Sequence, residues 1–92
     1  MAELKDRLRS DLTVSMRGRD ELRTATIRMV LTAVTNAEVA GAQAREISDD
    51  EVVGVLAKEA KKRRDAADAF RQGGRPDLAE REDAEAAVIA GY

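Results

Sequence analysis

Glutamates in the second half of the chain are the residues whose type and spacing could perform chemistry. Glu82 and Glu85 lie three positions apart, so a helix would place both carboxylates on one side. Glu59 falls on the apolar side of the helix predicted before them. Carboxylates grouped in this way are typical of metal sites and of acid–base catalysis. One hypothesis is therefore an enzyme that acts through these three glutamates.

An arginine predicted to face these glutamates offers a second interpretation of them. The turn Gly73–Pro76 is short, so the helices on either side of it are predicted to be antiparallel neighbours. This arrangement brings Arg63 opposite Glu85 and one turn from Glu82. We favour this structural interpretation, because arginine is available as a partner and the chain contains no histidine. The predicted ion-pair network that fixes the register of the two helices consists of Glu59, Arg63, Glu82 and Glu85, with no catalytic residue among them.

Basic side chains on the predicted helix that carries Glu59 and Arg63 indicate a partner outside the chain. Five of the seven residues from Lys58 to Arg64 are basic. On a helix, the lysines among them form a strip on the side away from the core, and such a strip can hold phosphate groups. A solvated surface is the alternative, since acidic residues follow closely and no aromatic residue is interleaved to stack on bases. The candidate contacts for a nucleic acid or a protein partner are Lys58, Lys61, Lys62, Arg64 and Arg75.

Composition limits the class of protein. The 92 residues suffice for one domain, and they include neither cysteine nor histidine. Thiol nucleophiles and thiolate zinc sites are excluded, so we expect no metal and no cofactor. No apolar run has the length of a signal sequence core or a membrane span, which predicts a cytoplasmic protein without a membrane partner. The net charge of −2 argues against a general nucleic-acid binder.

The elements that must position these residues are helices. Aromatic residues make up only 2% of the chain, while alanine, leucine and charged residues dominate, which favours an all-α fold. Leu22–Val39 is apolar around more than half of its circumference, so we predict a central helix at about residues 20–40. Met29, Ala33 and Val34 are expected among its most buried residues. Around it we predict a four-helix bundle-like domain with helices at Glu3–Arg17, Asp49–Gln72 and Pro76–Ala90, the last two forming an antiparallel hairpin.

Several short segments together resemble a known family. The combined pattern covers nearly the whole chain, and it is similar to the amino-terminal helical domain of YqeY-like proteins, which belong to the GatB/YqeY-like family. That family also includes the carboxy-terminal region of the GatB component of tRNA-dependent amidotransferases. The segments that carry the resemblance are Thr26–Met29, Asn36–Glu38, Glu51–Val52, Val55–Leu56, Lys58, Lys61–Arg63, Asp65, Phe70, Gly73–Leu78, Glu82, Glu85 and Tyr92.

The resemblance implies a domain organisation and a function. Residues 1–92 would be a single helical domain that matches the first part of a two-domain protein, and the second domain is absent from this sequence. The family is linked to carbon–nitrogen ligation with glutamine as amido donor. Since the chain has no nucleophile constellation and no phosphate-binding loop, we expect an accessory domain without its own active site. Its partner would be tRNA or an amidotransferase-like protein. A structural interaction module unrelated to tRNA is the remaining alternative to the enzyme hypothesis.

Overall fold

The structure of the protein, a computed structural model, describes residues 3–92, and those residues form four helices without a strand. Helix α1 spans Glu3–Arg17, α2 spans Glu21–Val39, α3 spans Asp49–Gln72 and α4 spans Pro76–Ala90. The all-α prediction is confirmed.

Side-chain caps set the ends of the helices. Asp20 precedes α2 and accepts a hydrogen bond from the backbone N–H of Arg23 at 3.1 Å. Ser48 and Glu51 form a capping box at the start of α3, each accepting a hydrogen bond from the backbone N–H of the other. Pro76 occupies the first position of α4, where its missing N–H has no cost.

The helices pack as two hairpins. Helices α3 and α4 are joined by a turn in which Gly74 has a φ of 75°, a conformation that favours glycine. Helix α2 contacts all three other helices, as expected for a central element. The domain is flat, 43 × 32 × 17 Å, so its core is a thin layer between the hairpins. The core residues are Leu8, Ile27, Val30, Val34, Ile47, Val52, Leu56, Ala60 and Ile89.

The buried side of α2 differs from the prediction. Val34 is fully buried, but Met29 and Ala33 are only half-buried. Ile27 and Val30 are buried in their place, whereas Met29 contacts Arg63 of α3 and Ala33 lines a groove between α2 and α3. The broad apolar arc therefore overstated how much of this helix its neighbours cover.

Two polar contacts join elements that are distant in sequence. Lys5 of α1 donates hydrogen bonds to both carboxylate oxygens of Glu38 at 2.8 and 2.9 Å. Near the middle of α1, the Tyr92 hydroxyl donates to Asp11, and Arg23 donates to the same hydroxyl at 3.4 Å. The second contact fixes the end of the chain against α1 and α2.

The tyrosine contact predicts a pH dependence that can be followed optically. Burial and the adjacent Asp11 carboxylate raise the pKa of Tyr92 from 10.0 to about 12. Because the folded protein holds this proton more tightly, the stabilisation is complete below pH 10 and is lost between pH 10 and about 12. Tyr92 is the one tyrosine in the sequence, so ultraviolet absorbance of the phenolate reports it alone. Asp11→Asn is expected to move the titration midpoint back toward 10; an unchanged midpoint would contradict the contact.

Candidate functional site

Helices α3 and α4 bring three of the four predicted network residues together. Arg63 Nε lies 3.7 Å from Glu82 Oε2, and Arg63 Nη1 lies 3.8 Å from Glu85 Oε2. Glu59 is instead paired with Lys62 on its own helix, at 3.2 Å. One guanidinium thus serves two carboxylates across the helix interface, while the third glutamate has a separate partner.

This ion-pair cluster is largely shielded from solvent. The side chains of Arg63 and Glu85 are 20% and 10% exposed. Burial raises the pKa of the Glu85 carboxyl, and the nearby Glu82 charge raises it further, while Arg81 and Arg63 act in the opposite direction. Arg63 Nε and Glu82 Oε2 are both buried without a hydrogen bond. The pairing is therefore electrostatic, with distances too long for direct hydrogen bonds.

The arrangement favours a structural role over catalysis. Glu82 and Glu85 lie beside Arg63, and Glu59 lies beside Lys62, so positive charge compensates each carboxylate. Within residues 3–92, no three Asp, Glu, His or Cys side chains are grouped closely enough to hold a metal ion. The geometry can fix the register of the α3/α4 hairpin, and we retain that role as a hypothesis.

The lysines of α3 form the basic strip, defined as Lys58, Lys61 and Lys62, and all three are exposed. Lys61 is paired with Asp65 at 2.7 Å and Lys62 with Glu59. Lys58 has no carboxylate within 4 Å among the residues that the structure describes. Its charge is therefore the most available of the three.

The structure does not bring the other two predicted basic contacts to this strip. Arg64 lies on a different side of α3, next to the end of α4. Arg75 belongs to the turn between α3 and α4 and is paired with Asp77 at 3.4 Å. A single surface that includes all five basic residues is not present.

A groove between α2 and α3 borders the basic strip. Its base consists of small and apolar side chains, and Asn36 of α2 lies on the wall opposite Lys58 and Lys62. Asn36 belongs to the family pattern in the sequence, which by itself predicts no role for this residue. The groove, called the α2/α3 groove below, is lined by Ala33, Asn36, Ala37, Ile47, Glu51, Gly54, Val55, Lys58, Glu59 and Lys62.

The fold and this surface define a small all-α domain in which two segments of the sequence pattern, around Asn36 and around Lys58, meet at one groove. The chain belongs to the YqeY-like protein family, whose model matches residues 5–92. The family resemblance predicted from the sequence is confirmed.

Two fungal relatives extend the comparison. The chain is 33% identical over 85 residues to "Altered inheritance of mitochondria protein 41, mitochondrial" of Lachancea thermotolerans, covering 92% of this chain and 45% of the relative. The protein of the same name from Clavispora lusitaniae is 36% identical over 85 residues, covering 92% and 48%. This chain therefore spans about half the length of the curated relatives that it matches.

The names of these relatives correct the predicted localisation. Both are named as mitochondrial proteins, so the cytoplasmic prediction is wrong. It depended on the lack of a signal sequence and of a membrane span, and proteins of several aqueous compartments share those properties. In the described part of the chain, no helix combines the length and the apolar character needed to cross a bilayer.

Proposed function

We propose that this domain is an accessory module that holds the phosphate backbone of RNA at the basic strip and the adjoining α2/α3 groove. By the family resemblance, the RNA would be tRNA, and the associated chemistry would be carbon–nitrogen ligation with glutamine as amido donor. The observation that carries the proposal is the exposed, uncompensated charge of Lys58 beside the groove. The domain would contribute binding, while an active site would lie in a partner.

The geometry of the strip suits a phosphate backbone. Lys58 and Lys62 are four residues apart, so their Cα atoms are separated by about 6 Å along the helix axis. Lysine binds phosphate as a point charge on a flexible side chain and does not require a fixed geometry. Asn36, on the opposite wall of the groove, offers an amide that can donate to phosphate or sugar oxygens. Because no aromatic side chain lines the groove, backbone contact is favoured over base stacking.

Salt dependence of RNA binding tests the proposal. Each lysine–phosphate contact releases about one counterion. A variant with Lys58, Lys61 and Lys62 changed to Gln should therefore reduce the slope of log binding constant against log salt concentration by up to about three. At 0.1 M salt this corresponds to an affinity loss of about 10²- to 10³-fold. The measurement is fluorescence anisotropy of labelled tRNA over a series of salt concentrations.

A matched variant separates local contact from net charge. Arg9, Arg17 and Arg28 are exposed on α1 and α2, and changing all three to Gln removes the same total charge away from the strip. This control should retain the wild-type slope to within about one unit. Equal losses in both variants would show non-specific attraction only. Absence of RNA binding by the wild-type domain would reject the proposal and favour the alternative of a protein-interaction module.

A further inference from the structure

Three charged side chains of α3 have no partner within the part of the chain that the structure describes. They are Asp50, Lys58 and Arg64, whereas the other acids and bases of this helix make ion pairs or hydrogen bonds. Lys58 borders the α2/α3 groove. Asp50 and Arg64 lie on another side of α3, and they are of opposite sign. Their charges are thus available to a second molecule.

The surface next to Arg64 is a mainly apolar groove between α3 and α4. Val53 projects from it with 50% of its surface exposed, one of the largest exposures of a large apolar side chain in residues 3–92. Ala57 is exposed, and the largely buried Ala60 also lines the groove; both side chains are small enough for another helix to approach closely. The groove, called the α3/α4 groove below, is lined by Val53, Leu56, Ala57, Ala60, Arg64, Ile89, Ala90 and Tyr92.

The charges and the groove residues form one seam along α3. The seam consists of Asp50, Val53, Ala57, Ala60 and Arg64, at alternating intervals of three and four residues. Such intervals place all five side chains on one face of a helix, in the pattern of a helix-pairing interface. Asp50 and Arg64 are each seven residues from Ala57, or about 10 Å along the helix axis. Two copies of the seam laid antiparallel about Ala57 therefore place Asp50 of one copy level with Arg64 of the other.

We propose that the α3/α4 groove is occupied by α3 of a second copy of this chain, in an antiparallel and two-fold symmetric pair centred on Ala57. A two-fold axis at Ala57 places Asp50 of each copy level with Arg64 of the other. The symmetry thus gives two Asp50–Arg64 ion pairs, one at each end of the seam. Val53 of each copy packs beside the alanines of its partner, which removes its exposed surface from water.

Charge complementarity selects this occupant. An unrelated apolar helix would leave Arg64 at the edge of an apolar contact without a carboxylate, which is unfavourable. A parallel pair would place Asp50 beside Asp50 and Arg64 beside Arg64, where like charges repel. The seam is only about four turns long, so the pair should be weak. It leaves Lys58 and Lys62 of the basic strip exposed, so it does not depend on the proposed RNA function.

Charge-reversal variants test the pair through selective association. Arg64→Asp gives a chain with acids at both ends of the seam, and Asp50→Arg gives a chain with bases at both ends. Each variant alone should be monomeric in sedimentation velocity up to 1 mM, at least tenfold weaker in association than the wild type. An equimolar mixture of the two should associate again, because each acidic end then meets a basic end. Added salt should weaken this mixed pair.

Further variants exclude general effects of charge and folding. Arg9→Asp makes the same charge change on α1 and should associate like the wild type. Ala57→Arg places two like charges on the two-fold axis at an exposed position, so it should abolish association while circular dichroism shows an unchanged helix content. A wild-type domain that remains monomeric at 1 mM would overturn the proposal. Failure of the mixture to associate, with both variants folded, would also overturn it.

Discussion

Arg63→Met is expected to lower the free energy of unfolding by about 2 kcal/mol at neutral pH. Removing one partner of a fully buried ion pair costs about 3–5 kcal/mol, whereas an exposed pair contributes about 0–1 kcal/mol. The Arg63 side chain lies between these limits, with 20% exposure and with two carboxylates within 4 Å. The substitution would leave Glu82 without its arginine and Glu85 with Arg81 alone, whose Nε lies 3.4 Å from Glu85 Oε1. Urea unfolding followed by circular dichroism provides the measurement.

A double-mutant cycle identifies the source of this loss. Glu85→Leu in the Arg63→Met background removes a carboxylate that has lost one of its two arginine partners, so the double variant should be more stable than the sum of the single losses predicts. The cost of Arg63→Met should also shrink as the pH falls. Burial raises the pKa of Glu85, so its carboxylate is protonated at a higher pH than that of an ordinary glutamate. Once protonated, it carries no charge for the arginine to compensate. Additive losses at neutral pH would contradict a coupled network.

Leu8→Ala is expected to cost about 3 kcal/mol, a comparable or larger effect. Leu8 is 0% exposed and belongs to the core on the α1 side of the domain. Large-to-small substitutions at such positions cost about 2–5 kcal/mol, because transfer free energy is lost and a cavity remains. In a domain only 17 Å thick, few core residues are available to compensate. Thermal and urea unfolding of the same variant should agree on the loss.

Leu12→Ala serves as the matched comparison for this prediction. It removes the same atoms from the same helix at a partly buried position. The expected loss is about 1 kcal/mol, since part of this side chain already contacts water. Equal losses at the two positions would show that α1 is less firmly packed than its contacts indicate.

Helix positions were predictable because their signals are local. The capping residues Asp20, Ser48 and Glu51 act within one turn of the helix that they start, and the Gly73–Gly74 turn sets the α3/α4 hairpin. The same hairpin geometry is sufficient to bring Arg63 near Glu82 and Glu85. Interactions over a short sequence separation are thus accessible to arguments from spacing.

Contacts between distant segments could not be predicted in this way. Lys5 and Glu38 are 33 residues apart, and Asp11 and Tyr92 are 81 residues apart. Nothing in the periodicity of one helix specifies a polar partner on another. The position of Asn36 opposite Lys58 could not be predicted for the same reason, because it depends on how α2 crosses α3. The partial exposure of Met29 and Ala33, which lie on the side of α2 that faces α3, likewise follows from packing between helices and not from composition.

The start of α1 has a consequence for synthesis on the ribosome. Its Leu4 N–H, one of the first donors of the helix, donates at 3.1 Å to Asp49, which lies 45 residues later in the chain. Because residues emerge from the ribosome in order, α1 emerges before Asp49 does. Its apolar side can pack on α2 first, but this terminal N–H gains its acceptor only after the start of α3 has emerged. The first helix to be made would thus complete its amino-terminal cap only when the third helix has begun to emerge.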